Sequence, residues 1–376
     1  MHVAIVARAV PTERYPLNGI FEWDQAKALV AAGVTIDYLA VDLRSFRRLR
    51  PWGITHGEKD GIRWHSVSIP IGPLPLLVRA KIGVWALKRL YQNVYGGGGA
   101  PDIFHANFEE LGYMTAALSE AENIPFVVTE HSSDILEKEI SKEYLHILSE
   151  SHSKAKRVIS VSNILKRSIY SHTGVIAEVI PNIIAEDFVF SKKAHSNFVF
   201  VTTAALIESK KVQLVIKAFA QVWKGFNDVI LEIIGDGPQQ RELVILAKRL
   251  RIAENVHFNG ELPRGKIAEI YKQCDCFVLP SAFETFGVVY IEAMAAGLPV
   301  IATRCGGPEE FVTEKNGILV AVDDVDALKN AMLSMYLSRK QYDCAAIAGT
   351  AKAQFSAAVI AGRLLDVYAG VLKKQD

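Results

Sequence analysis

Only four cysteines occur in 376 residues: Cys274, Cys276, Cys305 and Cys344. Their spacing does not suit a metal site, since Cys-x-Cys alone is weak, and Cys276 falls in a predicted buried strand. Free thiols in a reducing compartment are expected. Charge of one sign is also missing. The 42 Lys and Arg are balanced by 41 Asp and Glu, a formal net charge of +1, with no long block of either. Such a balance gives no support to a nucleic-acid surface. No stretch reads as long enough to span a bilayer. The chain does not open on a charged segment followed by an apolar core; residues 2–7, HVAIVA, are a strand pattern instead. A cytoplasmic location is expected. No Gly-x-Gly-x-x-Gly follows that first strand, which disfavours a dinucleotide-dependent dehydrogenase. Short repeats are absent, and the glycines at 96–99 are the one low-complexity tract.

Half of the residues are hydrophobic, so the chain can build large cores, and its length suits two or three domains. Apolar runs of strand length lie at 2–7, 35–41, 102–106, 125–129, 157–161 and 177–180. A second series lies at 198–204, 229–234, 256–259, 276–279, 299–303 and 318–320. Helical patterns fall between most of them. Alternation of this kind predicts parallel sheets covered on both faces, here two doubly wound domains. The polar stretch 191–197, SKKAHSN, marks the break. The division predicted is a first domain over 1–190, a second over 191–355, and an amphipathic helix over 356–376 that packs back on the first domain.

Ligands of open parallel sheets bind beyond the carboxyl ends of the strands. The tract at 96–99 enters a strand rather than leaving one, so it reads as a surface turn. Gly19, His105, His131, Lys210, Gly235-Asp236-Gly237, Glu284 and Gly306-Gly307 all follow predicted strands. The most informative segment is 283–300, FETFGVVYIEAMAAGLPV. Glu284 follows a strand. Glu292 sits inside an apolar helix that Gly297 and Pro299 end. A buried carboxylate needs a partner, and ligand hydroxyl groups or a local cation would serve.

These residues resemble the family 4 glycosyltransferases with the GT-B fold. The resemblance rests on Glu284 and Glu292 with Phe286-Gly287 between them, and on Glu-Ala-Met-Ala-Ala-Gly-Leu-Pro-Val after. It extends over most of the chain, through Asn18-Gly19, Pro101-Asp102-Ile103-Phe104-His105, Thr129-Glu130-His131, Ile180-Pro181-Asn182, Gly235-Asp236-Gly237, Phe258-Asn259-Gly260 and Gly306-Gly307-Pro308-Glu309. Two positions depart from the family pattern. Ala205 stands where the family has an Arg, and Lys211 replaces the Gly that follows the phosphate-binding Lys, here Lys210.

The resemblance implies two Rossmann-like domains facing across a cleft, and transfer of a sugar from a nucleotide diphosphate to an acceptor hydroxyl with retention. It implies synthesis of a surface polysaccharide or glycolipid. Lys210 would meet the leaving diphosphate, aided by Lys211 and by the helix start Thr285-Phe286-Gly287-Val288. Glu292 would hold the ribose diol, Glu284 the transferred sugar, and the Leu262 backbone the base. Gly19 would approach phosphate or acceptor, and His131 would position the donor or assist the transition state. Structural alternatives remain beside these roles: a solvated lysine for Lys210, a salt bridge for Glu292, a loop carboxylate for Glu284, a core histidine for His131. A structural role is favoured for His105. A glycosidase mechanism is disfavoured, since no further carboxylate is identifiable on the first domain's site face.

No cofactor and no metal is expected. Asp324-Val325-Asp326 precedes a helical pattern and reads as a cap. The basic-apolar segment 74–90, with Arg44, Arg47, Arg48 and Arg50 nearby, reads first as an amphipathic core helix with a charged outer face. The alternative is a surface for anionic lipid, with peripheral membrane association, and the acceptor expected is a saccharide or a lipid-linked one. A sugar-nucleotide epimerase on the same fold and a non-catalytic sugar-binding protein are the competing readings.

Overall fold

In the computed structural model, residues 1–44, 52–137, 139–191, 196–226, 228–338 and 341–373 are described. Arg47, Arg48 and Arg50, and residues 192–195 of the polar stretch, lie outside them. The chain forms two compact units, residues 1–183 with 357–376, and residues 184–356.

Unit 1 runs β1 (His2–Ala7), α1 (Ile20–Ala31), β2 (Thr35–Arg44), β3 (Gly53–Lys59), β4 (Ile62–Pro70), α2 (Leu76–Tyr95), β5 (Ile103–Asn107) and α3 (Glu109–Glu122). It continues through β6 (Phe126–Glu130), α4 (Lys142–Lys154), β7 (Arg157–Ser160), α5 (Asn163–Thr173) and β8 (Glu178–Val179). The sheet order is β3-β4-β2-β1-β5-β6-β7-β8. β1, β5 and β6 are buried on both faces, which is why β1 is almost wholly apolar and β5 and β6 each open on apolar residues.

The hairpin β3–β4 escaped the sequence reading and makes the edge of the sheet antiparallel. β3 reads GITHGEK, with too little apolar content to register as a strand, and it is mostly exposed. The available signal was Asp60-Gly61. Both residues have positive φ, 56° and 72°, as a two-residue type I′ hairpin turn requires.

Unit 2 runs β9 (Phe198–Thr203), α6 (Val212–Trp223), β10 (Val229–Ile234), α7 (Gln240–Arg249), β11 (Val256–Phe258), α8 (Arg264–Tyr271), β12 (Cys276–Leu279) and α9 (Val288–Ala295). It ends with β13 (Val300–Thr303), β14 (Gly317–Val320), α10 (Val325–Leu337) and α11 (Cys344–Phe355). Its parallel strands are ordered β11-β10-β9-β12-β13-β14. Val212, Val215, Ile216, Phe219 and Val222 of α6 recur at helical spacing and bury one stripe against the sheet. Asp324 caps α10, its carboxylate accepting from the Ala327 amide at 2.8 Å.

The units divide at 183/184 rather than at 190/191. Residues 184–190 belong to unit 2 because Ile184 donates to the Phe355 carbonyl and the Phe188 ring packs 5.5 Å from Tyr271.

A last helix, α12 (Ala357–Leu372), completes the core of unit 1. Ile360, Leu364, Val367 and Tyr368 pack there with Leu29, Tyr38 and Ile103. By length and composition the stretch Cys344–Leu372 is apolar enough to cross a membrane, contrary to the sequence expectation. In the fold it breaks at Ser356 into α11 and α12. The first buries Ile347 and Phe355 in unit 2, and the second buries its apolar face in unit 1.

All four cysteines are free, and three of them are buried.

Candidate functional site

In unit 2 the strand order reverses between β9 and β12, so the loops leaving these two neighbours turn to opposite sides and open a crevice. Lys210 ends the loop after β9, and Glu284 lies in the loop after β12. The structure brings them together. The Lys210 Nζ is 2.7 Å from Glu284 Oε1, and the Ser281 hydroxyl donates to the same oxygen at 2.8 Å. The side chains are only 24% and 11% exposed, so each charge is compensated chiefly by the other. The Ala282 amide donates to the Ser209 carbonyl at 2.7 Å, which ties the two loops at the same point.

The loops after β12 and β13 are laced in the same way. Glu284 donates to the Cys305 carbonyl and accepts from the Gly307 amide. Gly307 lies against Phe286; a Cβ there would stand 2.4 Å from the Phe286 Cα, so only glycine fits. Gly287 precedes α9, and no side chain caps that helix. The Tyr290 amide turns back to the Gly287 carbonyl at 3.1 Å, so the amides before it are the donors of this helix start that suit an anion. Thr285 and Phe286 shape the approach to this helix start, and Val288 begins it.

Glu292 projects from α9 and is 6% exposed. Its Oε1 lies 3.4 Å from the Arg264 Nε at the start of α8. The buried carboxylate thus has a cationic neighbour that the sequence reading did not identify; 28 residues separate the two in the chain, and no local periodicity links them. Leu262 is half-buried two residues before Arg264. Lys211 has a left-handed backbone, φ 53°, and its ammonium is 3.2 Å from Asp323 Oδ1.

In unit 1 the order reverses at β1 and β5. A cleft of about 610 Å³ opens there, lined among others by Arg8, Gly19, Phe21, Phe108, Glu109 and His131. Gly19 has φ 74°, and a Cβ would meet the Ala9 carbonyl oxygen at 2.1 Å. This close approach accounts for the glycine without a ligand. His131 is buried, with its Nε2 3.1 Å from Asn107 Oδ1, and its ring stacks with Phe21 at 6.2 Å and lies 5.0 Å from that of Phe108. Burial above all, then the positive charge of Arg8 and the nearby His105, lowers its pKa to about 3. The imidazole is neutral at physiological pH.

Phe108 has φ 68° and ψ 154°, a region essentially reserved for glycine, at a cost of about 1–3 kcal/mol. The Arg8 guanidinium carbon stands 3.5 Å from its ring centroid, and Arg8 Nε donates to the buried Glu22. His105 is a core residue; its two ring nitrogens pair with the Tyr368 and Thr129 hydroxyls at 2.6 and 2.7 Å.

Carboxylates missed in the sequence occur here. Glu109, Glu110 and Asp134 line the cleft, and Glu130 is fully buried behind it. Burial pushes the Glu109 and Glu130 carboxyls well above the usual range, and the charge of Glu130 adds to the effect on Glu109. The His152 Nε2 is 3.7 Å from Glu130, and burial lowers the His152 pKa to about 4. Their sequence signal was position: Glu109 and Glu110 directly follow a strand, and Glu130 precedes His131.

Comparison with known proteins agrees with this architecture. The family model for "Glycosyltransferase Family 4" matches residues 23–188, and that for "Glycosyl transferases group 1" matches residues 184–351. A GDP-mannose-dependent alpha-(1-6)-phosphatidylinositol monomannoside mannosyltransferase of Mycolicibacterium smegmatis is 31% identical over 159 residues, 40% of this chain and 42% of that protein. The matched stretches span less than two thirds of the first curated relatives' own lengths, 65% and 42%. Among solved structures, a sucrose-phosphate synthase of Thermosynechococcus elongatus superposes with a TM-score of 0.81 at 21% identity, covering 99% of each chain. Anabaena HepE, in complex with UDP and glucose, gives 0.75 at 21% identity, covering 98% of this chain and 100% of that one. With two family models in succession over most of its length, and two Rossmann-like sheets that carry the GT-B fold, the chain belongs to the family 4, group 1 glycosyltransferases.

Proposed function

We propose that this protein is a retaining glycosyltransferase that moves a sugar from a nucleotide diphosphate to an acceptor hydroxyl, in the cytoplasm, in surface polysaccharide or glycolipid synthesis. The observation that carries the reading is the Lys210–Glu284 pair at the switch point of unit 2, beside the uncapped start of α9. A diphosphate entering there exchanges one anion for another at Lys210, and frees Glu284 to accept from sugar hydroxyls. The bond between the anomeric carbon and the phosphate oxygen breaks as the acceptor oxygen attacks from the same face. The acceptor proton passes to the departing phosphate. Catalysis is then positioning plus stabilisation of the leaving charge, with no metal and no cofactor assigned a part.

Glu292 accepts from the ribose diol, with Arg264 holding the carboxylate. The Leu262 backbone meets the base. The amides at 285–288 and the Lys211 ammonium share the diphosphate. Unit 1 serves the acceptor and the transferred sugar through Gly19 and His131. A saccharide or lipid-linked acceptor fits a protein whose α2 turns a basic and apolar face outward, and we assign that face to a membrane surface.

Thermal shift against UDP-, GDP- and ADP-sugars tests the reading. The matching nucleotide, at about 100 times its dissociation constant, adds about 2.7 kcal/mol of stability. Lys210→Ala should remove ~2–4 kcal/mol of transition-state stabilisation, read as kcat/KM. Near wild-type turnover in that variant would rule out the role given to Lys210. Conversion of one sugar nucleotide into another with no acceptor present, and without release of free sugar, would favour an epimerase instead.

A further inference from the structure

Phe108 lies at the junction of β5 and α3 with the backbone of a glycine. Several neighbours hold it there. Its amide donates to the Thr129 carbonyl at 2.8 Å, and its carbonyl accepts from the Gly112 amide at 2.9 Å, closing the first turn of α3. Arg8 lies over the ring, and His131 lies beside it. The ring is only half-buried and lines the cleft, so filling a core does not account for it. A glycine would adopt the same backbone without strain. A side chain stands where the backbone disfavours any side chain, and strain of this kind clusters at functional positions.

We propose that Phe108 is a positioning residue, whose strained backbone holds its ring against Arg8 and His131 and so fixes the imidazole for sugar transfer. The proposal rests on the transferase reading through His131. It predicts that stability and activity part company at this position.

Three variants of the full chain test it: Phe108→Ala, which loses the ring and keeps the strain; Phe108→Gly, which loses both; and Phe108→Tyr, which keeps both. The probes are UDP-glucose, GDP-mannose and ADP-glucose, followed by release of free sugar, with water as acceptor. Phe108→Gly should melt above Phe108→Ala, the reverse of the usual order. Both should turn over the donor about tenfold to a hundredfold more slowly at saturation, with the donor's thermal shift retained. Their acid limb should move up toward the ordinary imidazole range as His131 gains solvent. Phe108→Tyr should stay close to the wild type.

Wild-type turnover in Phe108→Ala would overturn the proposal alone, and so would a higher melting point for Phe108→Ala than for Phe108→Gly. No turnover of any donor by the unsubstituted chain would remove the transferase reading and this proposal with it.

Discussion

Lys211 occupies a backbone conformation that side chains avoid, at the position where the family has glycine. Holding an L-residue there costs about 1–2 kcal/mol. The ion pair with Asp323, whose side chain is 59% exposed, returns at most about 1 kcal/mol. Lys211→Gly should therefore leave the melting temperature unchanged or raise it, by up to ~1 kcal/mol of stability. If its ammonium shares the diphosphate, the same variant should bind nucleotide more weakly. A titration with unchanged affinity would release Lys211 from the donor site. At this scale the sequence was legible where chemistry and spacing coincided. Glu284 and Glu292 stood out because carboxylates flank and enter an apolar segment. Arg264 did not, because an arginine at a helix start is ordinary and its partner lies far along the chain. Phe108 gave no signal, since a backbone dihedral leaves no trace in the identity of a phenylalanine.

The helix α2 carries a prediction of its own. Ala80, Gly83, Leu87 and Leu90 face the interior of unit 1, while Val78, Lys81, Trp85 and Arg89 recur at helical spacing on the outside, with Trp85 63% exposed. An exposed tryptophan among cations suits the boundary of an anionic lipid layer. Vesicles rich in anionic lipid should sediment the protein at low salt and release it at high salt, and Trp85→Ala should weaken capture without changing the melting temperature. No capture in either salt would sink the membrane reading. Element identity was legible wherever burial on both faces forces a continuous apolar run, as in β1 and β12. It failed at the edge hairpin β3–β4, where one face is wet and composition carries little. There the turn was the better guide than the strands.

The whole molecule joins two such sheets, and the two series of apolar runs in the sequence correspond to them. What the runs do not encode is the electrostatic asymmetry between the units. Unit 1 buries His105, His131 and His152, whose pKa values burial lowers to about 3, 3 and 4. A neutral buried histidine contributes stability that is full above its ordinary value of about 6.5 and is lost as the pH falls toward the lowered one. Glu109 and Glu130, raised by burial, act in the opposite sense: their contribution is full below the ordinary carboxyl range and is lost as the pH rises through their raised values. The three histidines outnumber the two acids. Unit 1 should lose stability from about pH 6.5 downward, more steeply once the unfolded carboxyls also protonate. Calorimetry between pH 7 and 4, with hydrogen exchange to assign the transition, should find residues 1–183 opening before 184–356. A transition that begins in unit 2 would contradict this.

The return of α12 to unit 1 orders events during synthesis. Leu364 and Tyr368 belong to a core whose other members, such as Val3 and Leu29, leave the ribosome long before them. About 170 residues of unit 2 are translated in between. At 5–20 residues per second that is a wait on the order of ten to thirty seconds. Through that interval the first sheet is exposed where α12 will lie, while unit 2 assembles from a continuous segment. Of the two units, the one begun earlier is the one finished later, and a ribosome that stalls between residues 184 and 356 leaves it open to chaperones.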